Sequence, residues 1–239
     1  AWRRLGLLLV LAAIAAWFSM AGGIYLWVKY YRGFTDVRIG YIAFPHRWAE
    51  YSTARGNFYI KQAKQEIADQ KFQQAIHHLR VGVAAAPANT EGRLILSHFF
   101  TILNRIELAQ LTLVQGLPYA NEDIDYLKAL FGLLLYYQED NEVLRLAAEL
   151  LPARPVVSNR NQLVAIAAAT ANLFRGNYEA ADALIKEYEL LRTKDGRILT
   201  ARIEWESGHR DAALAHLRLY ARESPNDEEF YSLLVTYHR

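Results

Sequence analysis

KFQQAIHHLRVGVAAAPAN, Lys71 to Asn89, is the stretch that decides the fold of this 239-residue chain. Aromatic Phe72 is followed by Ala75, Leu79, Gly82 and Pro87. Part of this frame returns 34 residues later, where Ala109, Leu113 and Gly116 match Ala75, Leu79 and Gly82. A fixed period of that length marks stacked helix pairs, each unable to bury its apolar face alone.

Numbering each 34-residue unit so that Ala75 is position 20 carries the frame outward in both directions. The first unit runs from about Gly56 to Asn89, with Ala63 at 8, Phe72 at 17, Gly82 at 27 and Pro87 at 32. The second, about Thr90 to Asp123, keeps Ser97, Ala109 and Gly116 but lacks the proline. The third, about Ile124 to Val157, matches poorly, with Phe131 at 8 and Val143 at 20. Pro152–Arg160 adds a few residues before the fourth unit, marked by Ala169, Gly176, Tyr178 and Ala181. The fifth follows 32 residues on, with Ala201, Gly208, Ala213 and Pro225, so a turn or helix end there is shorter. Glu228 to Arg239 starts a sixth unit and stops. Small residues at 8 and 20 let two helices approach closely. Position 15 favours glycine because the turn needs a left-handed residue, and proline near 32 ends the second helix.

This pattern resembles the tetratricopeptide repeat (TPR) family. The resemblance implies an all-α, TPR-like alpha-solenoid of about five helix-turn-helix repeats over residues 49–239. It also implies a concave groove lined by the first helix of each pair, mainly at positions 2, 5, 9 and 12. Transferred to this sequence, the groove includes Ile60 and Lys64, then Leu94, His98 and Thr101, then Lys128. Further on it takes Leu135, Ile166, Thr170, Leu173, Ile198, Arg202 and Trp205. Members that capture acidic chaperone tails carry Lys and Asn at positions 5 and 9 of the first repeat. Ile60 and Lys64 stand there, so that ligand is not expected. An apolar groove with a few charges suits an amphipathic helix or an extended peptide. The terminal helix bears Phe230, Tyr231, Leu233, Leu234, Val235 and Tyr237, leaving an apolar outer face for more chain or a partner to cover.

Toward the N-terminus, Leu5 to Val28 contains no charge. As a helix these 24 residues would cross a hydrocarbon core of roughly 30 Å. Trp2 lies at one end and Tyr25, Trp27, Tyr30 and Tyr31 at the other, as aromatic belts do, with Arg3, Arg4, Lys29 and Arg32 placed to snorkel. A signal-peptide apolar core is shorter, roughly 7–15 residues, so residues 1–32 are read as a retained single-pass anchor. The charge count puts more basic residues after the segment than before it, which favours a cytoplasmic body. Arg3-Arg4 ahead of the helix favours export, and an extracytoplasmic body at a bacterial inner membrane is the expectation taken. Ala15, Ser19 and Gly23 fall on one stripe, where a second transmembrane helix could approach closely. Residues 33–48 form a neck, GFTDVRIGYIAFPHRW, too apolar for a flexible linker. It is expected to pack on the membrane surface, on a partner, or back on its own domain.

Composition narrows the function. The chain is 53% apolar, carries a net charge of +2 and has no cysteine. Disulfides, zinc–thiolate sites and thiol nucleophiles are thereby excluded. Residues 1–60 carry seven Lys/Arg against two acidic residues, while the body is mildly acidic, unlike a nucleic-acid binder. His77 and His78 are adjacent and expected to point to different sides of a helix, so they cannot chelate together. His209 and His216 share a face but need further ligands. No catalytic motif, metal site, cofactor site or small-molecule substrate site is found. The expectation is a non-enzymatic membrane scaffold or accessory subunit, with the bilayer and integral membrane proteins as partners. The alternative is an anchored recruiter or assembly factor that binds clients transiently through its groove.

Overall fold

The computed structural model describes residues 2–237, and all their regular structure is helical. Ala1, His238 and Arg239 lie outside the described residues, so the expected terminal helix is described only to Tyr237. The chain divides into two compact units, Ala1–Tyr119 and Ala120–Arg239.

In the first unit, α1 (Trp2–Leu26) runs on through a π-helical turn, Trp27–Tyr31. A short α2 (Ile39–Ala43) follows, then α3 (Trp48–Ala68), α4 (Phe72–Ala85), α5 (Thr90–Ile102) and α6 (Ile106–Val114). The four-residue α7 (Leu117–Ala120) lies at the divide. The second unit comprises α8 (Ile124–Tyr136), α9 (Asp140–Leu150), α10 (Asn159–Phe174), α11 (Tyr178–Glu187), α12 (Lys194–Glu206), α13 (Arg210–Glu223) and α14 (Glu228–Tyr237). The pairs α3/α4, α5/α6, α8/α9, α10/α11 and α12/α13 are the five expected units, and α14 is the first helix of a sixth.

Position 15 holds every pair in register. Gln70, Asn104, Gln138, Gly176 and Gly208 all occupy it, with φ of 60°, 55°, 59°, 75° and 91°. In each unit the next amide bonds back to the carbonyl five residues earlier. Lys71 reaches Glu66 at 2.8 Å, Arg105 Phe100 at 2.7 Å, Glu139 Leu134 at 2.9 Å, Asn177 Asn172 at 2.8 Å and His209 Glu204 at 2.8 Å. This is a Schellman turn, which satisfies the free carbonyls of the helix it ends. The second helix of each pair starts directly from it and has no side-chain N-cap. First helices start differently. Asn89, Asp123, Ser158 and Thr193 each accept a backbone N–H ahead of α5, α8, α10 and α12.

Positions 8 and 20 form the seam between paired helices. Ala63 and Ala75, Ala169 and Ala181, and Ala201 and Ala213 are completely buried, and Ser97 with Ala109 nearly so. The Ser97 hydroxyl donates to the Ala109 carbonyl at 3.1 Å. Glycine sharpens the fit in the first pair, where a Cβ on Gly56 would stand 2.6 Å from the Ala86 backbone nitrogen. The third unit carries Phe131 and Val143 at the seam, both buried. Their bulk keeps α8 and α9 apart, and each packs on α10 more than on the other. The short spacing before the fifth unit also has a local cause. The Glu187 end of α11 passes through left-handed Glu189 into a 3-10 turn at Leu190–Arg192.

Two substitutions test this account. A left-handed non-glycine residue costs about 1–2 kcal/mol, and glycine costs about 0.5–1 kcal/mol in lost chain freedom. Gln138→Gly is therefore expected to raise unfolding free energy by about 0.5–1 kcal/mol in denaturant titration. Gly208→Ala, whose Cβ would meet open space, is expected to lower it by about 1 kcal/mol through backbone strain alone.

Candidate functional site

The second unit carries a cleft of about 600 Å³ where the ends of α10, α12 and α14 converge. Leu173 and Phe174 come from α10, Arg202 and Glu206 from α12, and Leu233 and Tyr237 from α14. Leu173 is buried and Phe174 about half exposed, and the apolar wall is joined by the charges of Arg175, Arg202 and Glu206. Tyr237 stacks on Trp205 with ring centroids 4.1 Å apart and planes 5° apart. The Arg210 guanidinium stands over the same indole, 5.0 Å from its centroid. Burial raises the Tyr237 phenol above the ordinary tyrosine range, with the Arg202 charge opposing it.

The residues expected in the groove divide between the two units. In the first, Lys64 is exposed and paired with Glu91 at 2.6 Å. His98 is exposed, Leu94 half-buried, and the Thr101 hydroxyl donates to the Ser97 carbonyl at 3.0 Å. In the second, Lys128 lies 4.0 Å from Asp125, and the Thr170 hydroxyl donates to the Ile166 carbonyl at 2.8 Å. Arg202 lines the cleft, and Trp205 adjoins it through its Tyr237 stack. Ile60 and Ile198, placed in the groove by the transferred positions, are buried and belong to the core instead. Ile60 packs against Gly82 and Gly92, where a Cβ would stand 2.6 and 2.7 Å from its side chain.

A second hollow, of about 570 Å³, belongs to the first unit and adjoins the end of α1. Tyr31, Arg32, Tyr59, His77 and His78 are among its walls. His77 and His78 therefore face one hollow, and their rings meet edge to face at 5.5 Å. The expectation of two separate sides fails, since both rings line the same hollow. His78 is held by Glu66, its Nδ1 lying 2.8 and 2.9 Å from the two carboxylate oxygens, while its ring stacks on Tyr59. Glu204 and His216 make the same link at 2.9 Å in the fifth pair. Both pairs occupy positions 11 and 23, a recurrence visible in the sequence once the frame is drawn. Among the described residues no three His, Asp or Glu side chains gather as a metal site.

Trp2–Tyr31 is long and apolar enough to cross a membrane, and its surface is almost entirely exposed. Ala15, Ser19 and Gly23 lie on the exposed surface, and a Cβ on Gly23 would touch nothing. Ala21 of α1 and Val28 of its π-turn are buried, and Val28 packs against the neck. The root of the neck packs back on its own chain. Val28, Phe34 and Val37 form a small core with Tyr25, Ile42, Tyr51 and Phe58.

No family model and no curated protein matches this chain. Among solved structures it is similar to a tetratricopeptide repeat protein from Parabacteroides merdae. The TM-score is 0.61 at 16% identity, over 77% of this chain and 72% of that one. The fold is that of tetratricopeptide repeats.

The Tyr237 environment sets a pH dependence. A phenol whose pKa is raised by folding contributes stability that is complete below the unfolded value of about 10 and is lost as pH rises past it. The thermal midpoint is expected to fall as pH climbs above about 10. Tyr237→Phe should fall less, because buried Tyr188 and Tyr220 then carry the remaining loss.

Proposed function

We propose that this chain is a single-span membrane protein whose TPR body docks as a scaffold or accessory subunit in a larger membrane assembly. Residues 1–32 serve as anchor, 33–48 as neck and 49–239 as the repeat body, on the extracytoplasmic side of a bacterial inner membrane. The observation that carries this reading is the bare apolar helix, Trp2–Tyr31, attached to a body of tetratricopeptide fold. Such a helix requires lipid or protein around it, since that much apolar surface is unfavourable in water. The small-residue stripe at Ala15, Ser19 and Gly23 supports a partner helix, because close backbone approach strengthens packing in lipid. The open groove positions, chiefly Lys64, Leu94, His98, Thr101, Lys128, Thr170, Arg202 and Trp205, supply surface for a soluble segment of the same assembly.

The cleft beside α14 favours a second reading, an anchored recruiter or assembly factor. Its apolar wall with Arg175, Arg202 and Glu206 suits one anchoring side chain of a peptide flanked by charge. The readings separate on extraction in mild detergent followed by native mass measurement. A permanent subunit migrates in a fixed high-mass assembly, and a recruiter emerges alone or as a homodimer. Ala15→Leu is expected to release the subunit from that assembly while leaving its circular dichroism and thermal midpoint unchanged. An assembly that forms equally well with Ala15→Leu contradicts the partner-helix face.

A further inference from the structure

The tip of the neck lies beside the middle of α1 and not beyond its end. The Trp17 indole N–H donates to the Ala43 carbonyl at 2.7 Å, and Phe18 meets Phe44 edge to face at 5.9 Å. Trp17 precedes Tyr31 by fourteen residues, roughly 21 Å of helix at 1.5 Å per residue. The chain therefore turns at Gly33, whose φ is 74°, and runs back along α1 before α3 begins.

The chemistry of the tip is that of an interfacial segment. Ile39–Pro45 contains no charge and is bounded by Arg38 on one side and His46-Arg47 on the other. Ile39, Phe44 and Trp48 expose about half of their surface, at 49%, 43% and 52%. The polar atoms beside them are paired within the chain, as a lipid environment demands. Besides the Trp17 bond, the Trp48 indole donates to the Ile42 carbonyl at 3.1 Å. Arg47 grips Glu50 with two bonds of 2.9 and 2.6 Å, and its guanidinium lies 4.9 Å from the Tyr41 ring centroid. Such charges are costly in hydrocarbon but at home among headgroups.

We infer that the neck tip, residues 39–48, is a wedge seated in the lipid interface beside α1. It follows that the hydrocarbon boundary falls near Ala21 and not at Val28. The inference rests on the anchor reading above and fixes where the anchor leaves the membrane. Leu5 to Ala21 is seventeen residues, about 26 Å of helix, at the short end of what crosses the hydrocarbon, with Arg3 and Arg4 among the far headgroups. The wedge explains why Ala21 and Val28 are buried against protein within a run long enough to be wholly lipid-facing. Trp17, Phe44 and Trp48 then form the aromatic belt on this side. The last turns of α1 become a post that joins the membrane to the repeat body.

The absence of cysteine makes the test clean, since single cysteines can be introduced for nitroxide labels. The full chain is reconstituted in nanodiscs of phosphatidylcholine and phosphatidylglycerol, with labels on Leu11→Cys, Phe44→Cys and Lys61→Cys. Collision with oxygen reports lipid, and collision with a water-soluble nickel chelate reports solvent. Leu11 is expected deep in lipid, Phe44 at a shallow lipid depth, and Lys61 in water, with the oxygen-to-nickel ratio severalfold higher at Phe44 than at Lys61. Ile39→Cys gives the same reading should the Phe44 variant fail to assemble. A Leu11 label in lipid with Phe44 and Ile39 labels in water overturns the wedge and leaves the anchor standing. A Leu11 label in water overturns both.

Discussion

One backbone constraint organises the repeat body. At position 15 of every helix pair the chain must take a left-handed residue, so that the following amide can reach back five residues and close the Schellman turn. That bond fixes the angle at which the second helix leaves the first. The seam at positions 8 and 20 can then be narrow, and alanine fills it in the first, fourth and fifth pairs. The turn survives where the seam does not. Gln138 adopts it in the third pair, although Phe131 and Val143 hold those helices apart.

The first helices are set by different means. Their starts are capped by Asn89, Asp123, Ser158 and Thr193, and two arginines at position 4 lace the preceding loops down. The Arg93 Nε donates to the Pro87 carbonyl at 2.8 Å and the Arg197 Nε to the Leu191 carbonyl at 2.9 Å, each six residues back. Arg93 is buried and also donates to the Thr112 carbonyl, at the C-terminal end of α6 where the helix dipole favours a cation. Glu66–His78 and Glu204–His216 cross-link first and second helices at equivalent positions. The repeats are thus held by backbone geometry at one end and by polar ties along their length, with little demand on side-chain bulk. Low sequence likeness to other repeats of the same fold follows from that.

Much of this was legible in the residues. The period of 34, the buried alanines and the proline after α4 were readable because packing and φ restriction leave composition marks. Position 15 was only half readable. Glycine appears there at Gly176 and Gly208, but Gln70, Asn104 and Gln138 take the same conformation because the turn's hydrogen bonds outweigh the strain. In the groove, Arg202 could be placed from the frame alone. Glu206, Leu233 and Tyr237 could not, since the cleft depends on how α14 docks on α12 and α13. The neck was not readable either. An apolar segment beside an apolar helix has lipid, partner and self as equal destinations, and its path back along α1 is seen only in the Trp17 and Phe18 contacts.

As proposed, the protein presents its groove from a membrane anchor, and the surface in use is the central claim. It is tested most directly by photocrosslinking in native membranes. A crosslinker is attached at single cysteines replacing His98 or Arg202 in the groove, or replacing Glu179, exposed on α11. The account predicts adducts of one discrete mass from the groove positions and none from Glu179. Adducts from Glu179, with the groove positions silent, would contradict it.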